Sequence, residues 1–207
     1  KVKLSTFHSL GLTILREECQ AVGLHDGFTI LDEGDQTAAM KDLMKQAGYD
    51  TAQIDPSLVL SRISNSKSRL KAPTSGLSQF DDVAARLSGL YAQRLRAMNA
   101  VDFDDLIALP VWILKKSPES AHRWSTRYRE ILVDEYQDTN WAQLQLLKLL
   151  SQRYHRVIAV GDDDQSIYAW RGAEASNILQ FDRHFPAAEM IALTQNYRST
   201  NFILKAA

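Results

Sequence analysis

The stretch Ile131-Leu132-Val133-Asp134-Glu135-Tyr136-Gln137-Asp138 decides how the chain is read. Three apolar residues, two of them β-branched, stop abruptly at paired acids, as a buried strand does where it leaves a sheet. A second run, Val157-Ile158-Ala159-Val160, stops in the same way at Gly161-Asp162-Asp163-Asp164-Gln165. A third, Met190-Ile191-Ala192-Leu193, runs into Thr194-Gln195-Asn196-Tyr197-Arg198. Between the first two, Asn140-Trp141-Ala142-Gln143 has the form of a capping box, and Leu144, Leu147 and Leu150 continue a helix. Strand, helix and strand in alternation imply parallel pairing and an α/β sheet. Val2 to Ser5, before Thr6-Phe7-His8-Ser9, is expected as a fourth strand of that sheet. Parallel pairing would gather all four polar ends on one edge, where open α/β sheets bind their ligands.

The first of those ends suits nucleotide hydrolysis. A hard Mg²⁺ ion takes oxygen ligands and keeps several waters, so one carboxylate at a rigid strand end, Asp134, suffices. The next, Glu135, can polarise a water for attack on a γ-phosphate. Four or five residues alone leave this reading level with a strand that simply ends in a solvated acidic turn.

Working back toward the N-terminus, the texture is helical from about residue 10 to 116. Leu77, Phe80, Val83, Leu87, Leu90, Tyr91, Leu95 and Met98 recur at steps of three and four, the stripe of an amphipathic helix. Asp102 can cap a further helix over 103–116, with a kink expected at Pro110. Arg62, Lys67, Arg69 and Lys71 form a basic stretch, expected as a solvated face, with contact to duplex phosphates as the minority reading. His25, His122, His155 and His184 show no metal-ligand spacing.

Composition bounds these readings. The 207 residues carry 45% hydrophobic and 24% charged side chains, enough apolar surface for a core. Nine glycines and five prolines are few, which favours helix over a turn-rich sandwich. The single cysteine excludes an intramolecular disulfide, and no apolar run reaches the ~18 residues of a membrane span. With a net charge of −1, attraction to nucleic acid must come from local sites. Lys1-Val2-Lys3-Leu4 reads as a strand entered midway, so a piece of a longer protein is expected.

Longer strings carry a resemblance. Leu132-Val-Asp-Glu-Tyr-Gln-Asp-Thr139 resembles motif II of the UvrD/Rep family of superfamily-one DNA helicases. Val160-Gly-Asp-Asp-Asp-Gln-Ser-Ile-Tyr-Ala-Trp-Arg-Gly172 resembles its motif III, and Leu193-Thr-Gln-Asn-Tyr-Arg-Ser199 its motif IV. Ser5-Thr-Phe-His-Ser-Leu10 is similar to the motif Ib region, and Asp102-Phe-Asp-Asp-Leu106 to a further block.

The resemblance implies a RecA-like motor sheet with an inserted all-helical subdomain at 10–116, flanked by motor segments at 1–9 and 117–207. It implies ATP and Mg²⁺, with Asp134 on the metal, Glu135 as general base, Gln165 at the γ-phosphate, and Arg198 on the same phosphate through its guanidinium. Thr6 and His8 would bond the DNA backbone. Tyr168, Trp170 and Arg171 would face single-stranded DNA, where aromatic faces stack any base. From the residues alone Tyr168 and Trp170 suit a core strand equally well. The implied partners are single-stranded DNA, its junction with duplex and replication or repair proteins. The implied compartment is a bacterial cytoplasm, at the nucleoid. Translocation 3′ to 5′ is likewise an implication of the family.

None of the nine glycines is followed by Lys, so the family's phosphate-cradling Gly-Lys-Thr loop lies outside these residues. An internal stretch of a first motor domain with an incomplete ATP site, inactive by itself, is the expectation. Two alternatives stay open: a non-enzymatic nucleic-acid-binding module, and the helicase part of a RecB-type recombination nuclease.

Overall fold

The computed structural model describes residues 2–167, 173–174, 176–186 and 188–206. Helix α1 (Phe7–Glu18) begins where the Thr6 side chain accepts a hydrogen bond from the Ser9 N–H. β1 (Thr29–Ile30) leads into three helices, α2 (Glu33–Gln46), α3 (Pro56–Ser68) and α4 (Gln79–Ala97). Each is started by a side-chain cap, from Asp32, Asp55 and Ser78 respectively, which satisfies an N–H that the helix itself leaves unpaired. β2 (Ala100–Val101) follows and pairs in parallel with β1, Thr29 opposite Ala100 and Ile30 opposite Val101. The three helices are thus closed at their base by a two-residue clasp. The stretch read as all-helical contains this strand pair, which is too short to leave a period in the sequence.

The core of the three helices is Met40, Met44, Val59, Leu87, Tyr91 and Leu95. The apolar stripe of α4 is buried at Val83, Leu87, Tyr91 and Leu95. Leu77 precedes the cap and is 82% exposed, and Leu90 and Met98 are also exposed.

Helices α5 (Asp105–Lys116) and α6 (Pro118–Ser125) come next, and α5 continues through Pro110. Gly11 of α1 allows α1 and α5 to touch: a Cβ at Gly11 would stand 1.8 Å from the Leu106 carbonyl oxygen. Ile14 of α1, Ile107 and Val111 of α5, Trp124 of α6 and Leu146 and Leu150 of α7 (Trp141–Ser151) form one buried cluster.

β3 (Ile131–Val133) and β4 (Val157–Ala159) pair in parallel, as the alternation of strand and helix requires. Between them α7 opens on the expected capping box. The Asn140 side chain accepts from the Gln143 N–H, and the Gln143 side chain accepts from the Asn140 N–H, each at 2.9 Å. The short helices α8 (Ser176–Leu179), α9 (Phe181–His184) and α10 (Asn201–Ala206) complete the described elements.

Two expected strands do not form. Val2 to Ser5 is irregular, with Val2 and Leu4 almost fully exposed, and Met190 to Leu193 is irregular and exposed along its length. A strand needs a hydrogen-bonded neighbour, and neither run has one among the described residues. The observed fold is mixed and rich in helix, with two small parallel sheets among the described residues.

Candidate functional site

The site grows out of the carboxyl ends of β3 and β4. Val160 N–H donates to the Val133 carbonyl at 2.8 Å and Tyr136 N–H to the Val160 carbonyl at 2.9 Å, so the two segments stay paired past the strands. Asp134 and Glu135 leave β3 exposed to solvent. Glu135 takes a left-handed backbone, φ 51° and ψ 44°, which a non-glycine residue adopts at a cost in strain. Its N–H donates to Asp134 Oδ1 at 3.0 Å. One Asp134 oxygen is therefore engaged, and the other has no hydrogen-bond partner among the described residues.

Behind this turn lies Gln137, only 1% exposed. Its Nε2 donates to Glu135 Oε2 at 2.8 Å, and its Oε1 accepts from the Asp162 N–H at 3.1 Å. Asp162 in turn accepts from Gln165 Nε2 at 2.5 Å through Oδ2, and from the Asp164 N–H at 3.1 Å through Oδ1. A continuous hydrogen-bonded chain thus runs Glu135–Gln137–Asp162–Gln165 across the two strand ends. Gly161 makes room for it, since a Cβ there would come within 2.6 Å of Gln137 Oε1.

The same turn holds a second anchor. The Thr139 carbonyl accepts from the Glu174 N–H at 3.1 Å and from Asn177 Nδ2 at 2.9 Å. Asn177 is 1% exposed, so this bond is shielded from water. The turn after β3 therefore grips the chain on both flanks of 168–172. Tyr168, Trp170 and Arg171 fall outside the described residues.

Asp138 completes the turn with a buried Oδ1 that has no hydrogen-bond partner among the described residues. Burial, and then the charge of Glu135, holds its carboxyl above the ordinary aspartate range.

Of the remaining expected residues, Thr6 spends its hydroxyl on capping α1. His8, two residues on, stacks against Phe103 with ring centroids 3.9 Å apart and an interplanar angle of 21°. Burial lowers the His8 pKa, so the imidazole stays neutral near pH 7. Phe103 keeps 55% of its surface exposed, and sequence reasoning had placed it inside a helix. Arg198 lies in an irregular, exposed segment where its N–H is held by Asn196 Oδ1. It makes no hydrogen bond or ion pair with Asp134, Glu135 or Gln165.

The basic stretch is a solvated face at Arg62, Arg69 and Lys71, which are exposed, but not at Lys67, whose side chain is only 16% exposed. Lys67 Nζ sits 2.5 Å from Asp102 and 2.7 Å from Asp105, while Arg62 pairs with Asp81 and Arg69 with Glu174. Only Lys71 of the four makes no ion pair with a described residue. Helix α5 starts later than expected, at Asp105, and its N-cap residue is Asp104, which makes no side-chain cap; Asp102 Oδ1 instead accepts from the Asp105 N–H at 3.0 Å.

Open parallel α/β sheets bind ligands beyond the carboxyl ends of their strands, and at that edge this chain presents the adjoining carboxylates of Asp134 and Glu135. The chain belongs to the UvrD/REP helicase N-terminal domain family, whose profile matches residues 1–186. It is 45% identical to the ATP-dependent DNA helicase Rep of Escherichia coli and 44% identical to that of Salmonella typhimurium. It is 42% identical to the ATP-dependent DNA helicase PcrA of Staphylococcus aureus. Each match covers 99% of this chain, and the chain spans about a third of the length of these relatives. No helix among the described residues is long and apolar enough to cross a membrane.

Proposed function

We propose that the chain forms part of the first motor domain of an ATP-dependent DNA helicase that couples ATP hydrolysis to movement along single-stranded DNA and unwinding of duplex. The observation that carries the reading is the hydrogen-bonded chain from Glu135 to Gln165, which links two parallel strand ends through a buried glutamine. β3 and β4 are then two strands of a RecA-like sheet. The helical insertion is best drawn between β1 and β2, narrower than 10–116, because α1, α5 and α6 share their core with α7.

Glu135 is the general base, exposed to water at Oε1 while Oε2 is held by Gln137. Gln165 contacts the γ-phosphate, and Arg198 supplies a guanidinium to the same phosphate. Asp134 fits Mg²⁺ as a single ligand: one oxygen remains after the Glu135 N–H is satisfied, which suits an ion that keeps most of its waters. No group of three metal-binding side chains occurs among the described residues, so a cage made wholly of protein ligands is not the design. When bound, the ion would neutralise charge developing on the phosphates.

The DNA side is read as His8 and its stacked partner Phe103, with Thr6, Tyr168, Trp170 and Arg171. An exposed aromatic face stacks bases without reading sequence. The partner is therefore single-stranded DNA and its junction with duplex.

The test is DNA-stimulated ATP hydrolysis by the protein that carries this chain. Glu135→Gln keeps shape but cannot take a proton, so turnover should fall roughly 10²–10⁴-fold with ATP binding retained. A Glu135→Gln protein that hydrolyses ATP at the normal rate would falsify the reading, and a protein with no ATP turnover at all would favour a binding module.

A further inference from the structure

We infer that Gln137 is the positioning residue that couples the hydrolytic carboxylate to the DNA-facing segment. The inference rests on the reading of Glu135 and of 168–171 given above. Gln137 is the only side chain that bonds both strand ends among the described residues: Nε2 to Glu135 Oε2 at 2.8 Å, Oε1 from the Asp162 N–H at 3.1 Å. An amide is the one neutral group of this length that donates at one atom and accepts at the other, which both neighbours demand. A buried Gln with both bonds made holds a fixed geometry, and loss of either leaves an unpaired polar group, so the two contacts are made or broken together.

The surroundings leave Gln137 little freedom. Gly161 passes so close that no Cβ fits beside Oε1. Tyr136 is fully buried, with its ring edge-on to Phe181 at 5.2 Å. Thr139, two residues further on, holds the Glu174 N–H and the Asn177 amide on the far side of 168–172. One five-residue turn, Glu135 to Thr139, therefore carries the base at its start, the near flank of the DNA-facing segment at its middle and the far flank at its end. A shift of Asp162 when DNA binds is delivered to the Glu135 carboxylate through a single side chain, and a shift of Glu135 on nucleotide binding travels the other way. Such a coupling is reciprocal by thermodynamic necessity.

The experiment measures single-stranded DNA affinity of the protein with and without a non-hydrolysable ATP analogue, beside ATP turnover with and without DNA. Gln137→Glu keeps the acceptor for Asp162 and replaces the donor with a carboxylate facing Glu135. Gln137→Leu removes both contacts. Gly161→Ala pushes Oε1 away while leaving Gln137 in place. The ratio of the two DNA affinities, about 5–150-fold where sites are coupled, should collapse toward one in all three, with DNA binding alone retained.

A purely structural Gln137 predicts otherwise: melting temperature falls and every activity falls with the folded fraction, while the ratio per folded molecule is unchanged. An unchanged ratio in Gln137→Glu overturns the inference, even if Gln137→Leu proves too unstable to assay. Failure of the underlying reading is separate, since it appears as normal turnover in Glu135→Gln.

Discussion

Lys67 Nζ lies 2.5 Å from Asp102 Oδ2, and with Asp105 at 2.7 Å it ties α3 to the turn that presents Phe103. The Lys67 side chain is 16% exposed and Asp102 4%, so little water screens the pair. Removing one partner of a buried pair leaves an uncompensated charge, typically at a cost of about 3–5 kcal/mol. Lys67→Met should destabilise the protein by that order in denaturant unfolding, whereas Lys71→Met, at an exposed side chain, should stay within about 0.5 kcal/mol of the parent. Equal, small effects from both substitutions would remove the clamp from the account of stability.

The same cluster sets a pH dependence. Burial pushes the Asp105 carboxyl up to about 6; Lys67 opposes this and the charge of Asp102 adds to it. Burial also pulls on the Lys67 ammonium, but Asp105 and Asp102 outweigh it and keep its pKa above the ordinary lysine value. The folded chain therefore holds the Asp105 proton where the unfolded chain, near its ordinary value of 3.8, has released it. Stability contributed by Asp105 is present below that value and lost as pH rises through about 6. Unfolding free energies of the parent and of Asp105→Asn, taken at steps from about pH 4 to 7, should show the parent losing ground. A parent that gains relative to Asp105→Asn over this window contradicts the assignment.

What the sequence made legible was local. The stops of β3 and β4, the cap at Asn140 and the acids Asp134 and Glu135 are each written within a few consecutive residues. Gln137 was not legible, although it stands in the decisive string. A polar residue after a strand reads as solvated, and here Gly161 passes beside Gln137 and the Asp162 N–H bonds it, 24 and 25 residues further along the chain. Lys67 failed for the same reason: its two carboxylates lie 35 and 38 residues away. Phe103 looked like the start of an apolar helical face, but α5 begins at Asp105 and leaves the ring on the surface against His8. The runs at 2–5 and 190–193 show the converse error, since apolar residues suggest a strand but only a neighbouring ladder makes one.

Two glycines give opposite forecasts. At Gly11 a methyl group would collide with the Leu106 carbonyl at 1.8 Å, and backbone cannot yield as a side-chain tip can. Gly11→Ala should separate α1 from α5 and cost at least the roughly 1–3 kcal/mol of an overpacked core. Gly89, inside α4, would meet nothing within 4 Å. Gly89→Ala should stabilise by about 0.5–1 kcal/mol by restricting the unfolded chain. Melting curves of the two variants decide the matter, and a stabilised Gly11→Ala would mean that the two helices do not approach as described.

The His8–Phe103 stack supplies the last forecast. If the pair is a platform for bases, Phe103→Ala should weaken single-stranded DNA binding by about 1–3 kcal/mol, the value of one stacked base. The slope of log affinity against log salt should not change, because stacking releases no counterions. Arg171→Ala, if its guanidinium meets a phosphate, should instead reduce that slope by about 0.7. Phe103 is more than half exposed, so its loss should leave the melting temperature close to that of the parent. His8→Ala removes the ring on which Phe103 rests, and should weaken binding together with some loss of stability. Binding isotherms at several salt concentrations, read beside melting temperatures, separate these effects. A Phe103→Ala protein that binds single strands as well as the parent would leave the stack as packing between α1 and the turn before α5, and DNA contact would have to be sought elsewhere.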